Sequence, residues 1–121
     1  MRKHLSIASV PVSEQARARD FYVEVMGFSL LRESPIERGR HWVQLALPGD
    51  DTSITLVTWF ETMPAGSLRG TVIKTDDIGT YHAELIGKGA SPSEISTAPW
   101  GRYFTVADPD GNGWVVQQDP R

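Results

Sequence analysis

Three histidines, His4, His41 and His82, and no cysteine make up the imidazole and thiol inventory of the chain. Without cysteine there is no disulfide, thiolate metal site or cysteine nucleophile. No two histidines have metal-ligand spacing. His82 and Glu84 lie two apart on a predicted helix, so they point to different faces, unlike the i, i+4 pair of a zinc helix. Surface positions are expected for His4 and His82, while His41 is kept as a candidate because its mate in an internal repeat is Tyr103 and both would lie at the same symmetry-related place in the fold. Asp108, Asp110, Asn112 and Gly113 match the front of a calcium loop, with Asp119 in twelfth place. Such a loop lies between helices and ends in a bidentate Glu, whereas Trp114–Gln118 reads as strand. No Ser-His-Asp arrangement, phosphate-binding glycine loop or dinucleotide fingerprint can be made out. There remain four tryptophans, Trp42, Trp59, Trp100 and Trp114. An aromatic-lined cleft binds a flat or apolar small molecule by stacking and burial. Trp100, between Pro99 and Gly101, is hard for its own core to cover and is assigned to a pocket; for Trp42 and Trp114 core packing, and for Trp59 a dimer contact, stand beside that role.

Strands must position these rings. Arg102–Ala107 and Trp114–Gln118 are rich in aromatic and β-branched residues, and Asp108-Pro-Asp-Gly-Asn between them supplies a reversal, which predicts a hairpin. Gly39-Arg40-His41-Trp42, followed by a β-run and Pro48-Gly49-Asp50-Asp51, repeats Gly101-Arg102-Tyr103-Phe104 and its turn 62 residues earlier. Leu5–Val12 reads as a first strand, with Pro11 at an edge, a bulge or an end. Ser13 then caps a helix whose apolar stripe is Ala18, Phe21, Tyr22 and Val25, and Gly27 ends it. Phe28–Glu33, Arg40–Leu47 and Ser53–Thr58 complete βαβββ. Glu61–Ser67, with Pro64 and Gly66, reads as a linker. Leu68–Thr75 and Asp76–Lys88 repeat strand and helix, Thr75 stands where Ser13 does, and Gly89 follows Gly27 by the same 62 residues. Ala90–Trp100 predicts a loop with a brief extended piece. The expectation is an α+β fold of two tandem βαβββ modules, residues 1–60 and 68–121, in a single domain, 1–121.

A module of roughly 60 residues buries little surface alone, so each half needs the other. The chain is 40% hydrophobic and 22% charged with a net charge of −3, an ordinary globular composition with no electrostatic footprint for nucleic acid or an anionic membrane. No long apolar run follows the start, and a cytoplasmic protein is the simplest reading.

Val12-Ser-Glu, Ala16-Arg-Ala-Arg-Asp-Phe-Tyr22 and Met26-Gly-Phe near the start, with Phe104-Thr-Val-Ala-Asp-Pro-Asp-Gly-Asn-Gly-Trp-Val115 near the end, resemble the glyoxalase/bleomycin-resistance/dioxygenase family, also called the vicinal oxygen chelate superfamily. The resemblance implies modules whose strands form a curled mixed sheet around a shared cleft, usually in a homodimer. It further implies, for the family's enzymes, one divalent metal held by His and Glu or Gln, one from each of four strands. Those positions fall here at Ile7 (or Ala8), Thr55, Gly70 and Val115, none of which is such a donor. Aliphatic or absent side chains and one hydroxyl cannot hold a divalent cation.

The expected function is therefore a metal-free, cofactor-free small-molecule binding protein of the bleomycin-resistance type, taking an aromatic or apolar ligand. The alternatives are a metal-dependent glyoxalase-like lyase or ring-cleaving dioxygenase, an enzyme using Tyr103 or His41 as acid or base, or a module without a small ligand. A register that turns Thr55 and Val115 inward adds Ser9, Tyr103 and Thr105 to the lining. His41 follows Tyr103 by the repeat, Gln44 faces outward, and Trp100 joins from its loop. A homodimer is expected, with no nucleic acid or membrane partner.

Overall fold

Each half of the chain builds the same unit. The computed structural model describes Met1–Pro120. The first half runs β1 (Ile7–Pro11), α1 (Gln15–Glu24), β2 (Ser29–Pro35), β3 (His41–Ala46) and β4 (Ser53–Val57). The second runs β5 (Thr71–Lys74), α2 (Ile78–Gly87), β6 (Ser96–Ala98), β7 (Gly101–Ala107) and β8 (Gly113–Gln118). The strands form two four-stranded mixed sheets, β1-β4-β3-β2 (sheet A) and β5-β8-β7-β6 (sheet B), with β1–β4 and β5–β8 parallel and the other neighbours antiparallel. The fold is α+β and tandem βαβββ, and neither sheet closes into a barrel.

The repeat is real, but its spacing is not constant. Val10 pairs with Leu56 and Ile73 with Val116, so the equivalent strand positions are 63 apart in β1/β5 and 60 apart in β4/β8. Loops of different length absorb the difference while Gly27 (φ 85°) and Gly89 (φ 92°) keep their places after the helices. The helix starts shift too. Glu14, not Ser13, is the N-cap of α1 and gives no side-chain bond, because the Ser13 hydroxyl donates to Asp110 instead. In α2 the cap is Asp77, which accepts from the Thr80 N–H at 3.1 Å, and Thr75 accepts from the Asp77 N–H.

One face of each sheet is closed by its helix. On sheet A that face carries Val10, Leu56, Val43, Ile54 and Leu45, packed with Ala18 and Tyr22 of α1; on sheet B it carries Ile73, Val116, Trp114, Phe104 and Val106, with Ile78 and Leu85 of α2. Glutamine side chains pin both helices. Gln15 donates to the carbonyls of His41 (2.6 Å) and Leu56 (2.8 Å) and accepts from the His41 N–H (3.0 Å). Gln118 of β8 accepts from the Ile78 N–H at 2.8 Å, satisfying an orphan donor of the first turn of α2.

The two helix faces run together into one core cluster. At the joint, the Tyr22 hydroxyl donates to Asp108 (2.7 Å) and accepts from the Trp114 indole N–H (2.9 Å), and the rings of Tyr22 and Phe28 meet Trp114 edge-on. Asn112, fully buried, donates to the Pro11 carbonyl and to Asp108 and accepts from the Leu68 N–H. Tyr81 of α2 donates to the Met26 carbonyl at the end of α1. The linker is held just as closely: a Cβ on Gly66 (φ 83°) would lie 2.0 Å from the Asp110 carbonyl oxygen.

Asp108 explains the calcium-like motif. Its Oδ1 accepts from the N–H groups of Asp110 and Asn112 and its Oδ2 from Tyr22 and Asn112, so both oxygens are spent on the turn and the joint. Asp110 is turned toward α1, against Ser13 and Arg17.

Candidate ligand cleft

Strand alternation leaves each sheet a second face, away from its helix. On sheet A one row across this open face is Ser9–Thr55–Gln44–Arg32, in the order β1-β4-β3-β2. Side-chain hydrogen bonds join Ser9 to Thr55 and tie Gln44 to the neighbouring rows. Ser9 and Thr55 hydroxyls stand 3.5 Å apart, Gln44 donates to Ser53 at 2.8 Å and accepts from the Trp42 indole N–H at 3.0 Å. Thr55 is 4% exposed among these neighbours. At the end of the strands the Arg40 guanidinium lies over Trp59, 5.7 Å from the ring centroid, and Trp59 abuts Phe60.

On sheet B the corresponding rows are Val72–Val115–Thr105 and Lys74–Gln117–Tyr103–Ser96. This face is more apolar and more open: Val72 is 48% exposed and Thr105 is exposed. Trp100 lies against Tyr103 with ring centroids 4.9 Å apart and planes tilted by 30°. Toward the other end of β7, at the β7–β8 turn, a cleft of about 560 Å³ is walled by Thr105, Val115, Ser91, Ser93, Gly113 and Arg69. Its outer wall is a segment stitched onto β7, where the Ser93 N–H donates to the Thr105 carbonyl and the Thr105 N–H to the Ser93 hydroxyl. His82 of α2 contacts the Ser93 carbonyl at 2.8 Å and stands edge-on to Phe104, which braces that segment from below.

The expected lining residues are thus distributed rather than gathered. Thr105 and Val115 wall the cleft; Tyr103 and Trp100 lie on the same open face toward the other end of β7; Ser9 and Thr55 lie on the open face of sheet A. Two expectations about orientation are corrected. His41 has the parity of Val43 and Leu45 and faces the helix, while Gln44, expected to face outward from this surface, stands in the row with Thr55. The cause is the repeat offset, which on β3/β7 is 61 residues: Gln44 pairs with Thr55 as Thr105 pairs with Val115, which makes Trp42 the counterpart of Tyr103. For this reason Trp42, weighed between core and pocket, and Gln44, expected to face outward, are not among the expected lining residues. Arg69 is absent from them because it precedes a strand and belongs to no motif.

The four tryptophans divide cleanly. Trp114 is core, 3% exposed; Trp42 and Trp59 are half-buried along the open face of sheet A; Trp100 is 49% exposed.

A family model, Glyoxalase/Bleomycin resistance protein/Dioxygenase superfamily, matches residues 3–116. The chain belongs to this superfamily. It is similar to the crystal structure of TnmS3, an antibiotic binding protein from Streptomyces sp. CB03234, at 45% identity over 98% of both chains with a TM-score of 0.93. A glyoxalase/bleomycin resistance protein from the same Streptomyces strain is 46% identical over 95% of this chain and 100% of that one, TM-score 0.87. The uncharacterised YetH protein of Bacillus subtilis strain 168 is 27% identical over 98% of this chain and all of its own.

The superfamily implies a divalent metal in its enzymes, and the residues here do not fit one. Ile7, Thr55 and Val115 lie on the open faces and Gly70 just before β5, offering one hydroxyl in all. Among the described residues no group of three or more His, Asp or Glu could hold a metal ion. The tyrosines with raised pKa are at the module joint instead. Burial, and next the Asp108 charge, pushes Tyr22 up; burial, and next Glu84, pushes Tyr81 up to about 12. Both stay protonated hydrogen-bond donors. No helix of the described residues is long and apolar enough to cross a membrane.

Proposed function

We propose that this protein is a metal-free binding protein of the bleomycin-resistance type, which sequesters an aromatic small molecule on the open face of sheet B. The observation that carries the reading is the cleft of about 560 Å³ walled by Thr105, Val115 and Ser93, on a face that presents a Trp100–Tyr103 pair. A volume in this range suits a drug-sized ligand, and aliphatic walls with a few hydroxyls favour holding it over transforming it. The 45% identity to an antibiotic binding protein supports the same reading. Function in the cytoplasm as a homodimer accompanies it: each sheet has two strand edges, and the apolar open face around Val72 and Trp100 gains from being covered by a second copy.

The experiment is a screen of aromatic compounds by tryptophan fluorescence, repeated with Trp100→Ala and Tyr103→Phe. A stacking ring contributes on the order of 1–2 kcal/mol, so Trp100→Ala is expected to weaken a hit roughly tenfold. A hit that binds equally to both variants would remove the Trp100–Tyr103 pair from the site, and near-stoichiometric transition metal in protein purified without chelator would remove the metal-free reading. A light-scattering mass near the 13.4 kDa of one chain would contradict the dimer.

A further inference from the structure

We propose that the ligand taken by this cleft is an aromatic acid, a compound with an anionic group on its ring system; this rests on the cleft being a small-molecule site and adds the charge class it selects. The chain as a whole is acidic, with 15 Asp and Glu against 12 Lys and Arg. The cleft is the opposite. Among the described residues Arg69 is the one charged residue in its wall.

Arg69 is held in place by neutral groups. Its Nη1 donates to the carbonyls of Gly66 (2.7 Å), Leu68 (2.7 Å) and Gly111 (2.9 Å). Carbonyl dipoles orient a guanidinium without cancelling its charge, and among the described residues no carboxylate pairs with it. All three bonds use Nη1, which leaves the edge formed by Nε and Nη2, a two-donor fork matched to carboxylate or sulfonate. The acidic residues of the adjoining turn face elsewhere: Asp110 is turned toward α1, its Oδ1 bonded to Ser13 and Arg17 (3.2 Å) and its Oδ2 buried, and Asp108 is bonded to Tyr22 and Asn112.

The same sign extends over the open faces. No strand position in the rows of either open face is Asp or Glu. Among the described residues Arg32 ends the Ser9–Thr55–Gln44 row without a carboxylate partner, and Lys74 is neutralised by Asp119 at 3.0 Å. Strand positions without carboxylates beside a pre-positioned guanidinium favour anions over cations, so the charge pattern discriminates between ligands that stack equally well.

The test compares 8-anilinonaphthalene-1-sulfonate with N-phenyl-1-naphthylamine, the same ring system without the sulfonate, by fluorescence titration. The sulfonate is expected to bind about tenfold tighter, with an advantage that shrinks as salt is added, because a charge-assisted fork is worth about that factor. Arg69→Gln should erase the advantage, bringing the affinities of the sulfonate and the amine together. Since Arg69 also braces the linker, Thr105→Glu supplies an independent variant: it adds a carboxylate to the exposed cleft wall and should weaken the sulfonate at least about tenfold more than the amine. Equal affinities in the unaltered protein, or tighter binding of the amine, overturn the anionic class and leave the cleft standing. Failure of both probes to bind overturns the two readings together.

Discussion

Removing one oxygen atom at the module joint, in Tyr22→Phe, should cost about 2–4 kcal/mol. The ring stays, so the edge-on packing against Phe21, Phe28 and Trp114 is retained. What is lost is the 2.7 Å bond to the Asp108 carboxylate and the 2.9 Å bond from the Trp114 indole N–H. A hydrogen bond to a charged group contributes about 1.5–3 kcal/mol, and leaving a buried N–H unpaired costs about 1–3 kcal/mol. The sum is tempered because Asp108 keeps Asn112 and two backbone donors. Against a total stability of about 5–15 kcal/mol this is a large fraction. Urea unfolding followed by far-UV circular dichroism reads it as a lower midpoint at unchanged slope, since both modules go together. A loss under about 0.5 kcal/mol, or two separated transitions, would refute the claim that this network ties the halves into one cooperative unit.

Other consequences follow from the same contacts. Tyr81 is pushed up to about 12 and Tyr22 is raised, against about 10 for an unfolded tyrosine. Below pH 10 both states hold the protons; above it the unfolded chain ionises first, so urea midpoints should be flat to about pH 10 and fall toward pH 12, a fall that the Tyr22→Phe, Tyr81→Phe double variant reduces. Trp114→Ala should cost about 3–5 kcal/mol and Trp100→Ala under about 1 kcal/mol, because one ring fills the core and the other is half-exposed; equal losses in urea unfolding would contradict this division. Gly39→Ala, at φ 74° with open space around it, should lose about 1 kcal/mol, whereas Gly101→Ala, whose Cβ would stand 2.2 Å from the Gln118 carbonyl oxygen, should lose far more or fail to fold.

The architecture was legible because it is written in local chemistry. Asp108-Pro-Asp-Gly-Asn dictates the β7–β8 reversal, and Gly27 and Gly89 stop their helices whatever packs around them. The repeat announced two modules but not their registers. A change of one residue between the His41–Ala46 and Gly101–Ala107 strands exchanges the faces of His41 and Trp42, and no local preference records it. Helix caps were misplaced for a related reason: Ser13 is chemically able to cap, yet its hydroxyl goes to Asp110, far away in the chain. Arg69 became visible only once Gly66 and Gly111 were close enough for their carbonyls to hold it.

The most direct measurement is a calorimetric titration of an aromatic compound that binds the protein, carried out on the unaltered chain and on Thr105→Trp. Thr105 is exposed on the open face beside Val115, and the larger ring fills the cleft without entering the core. The expected result is heat of binding that disappears in Thr105→Trp while the unfolding free energy stays within about 0.5 kcal/mol. Undiminished binding to a folded Thr105→Trp would contradict the assignment of the cleft as the ligand site.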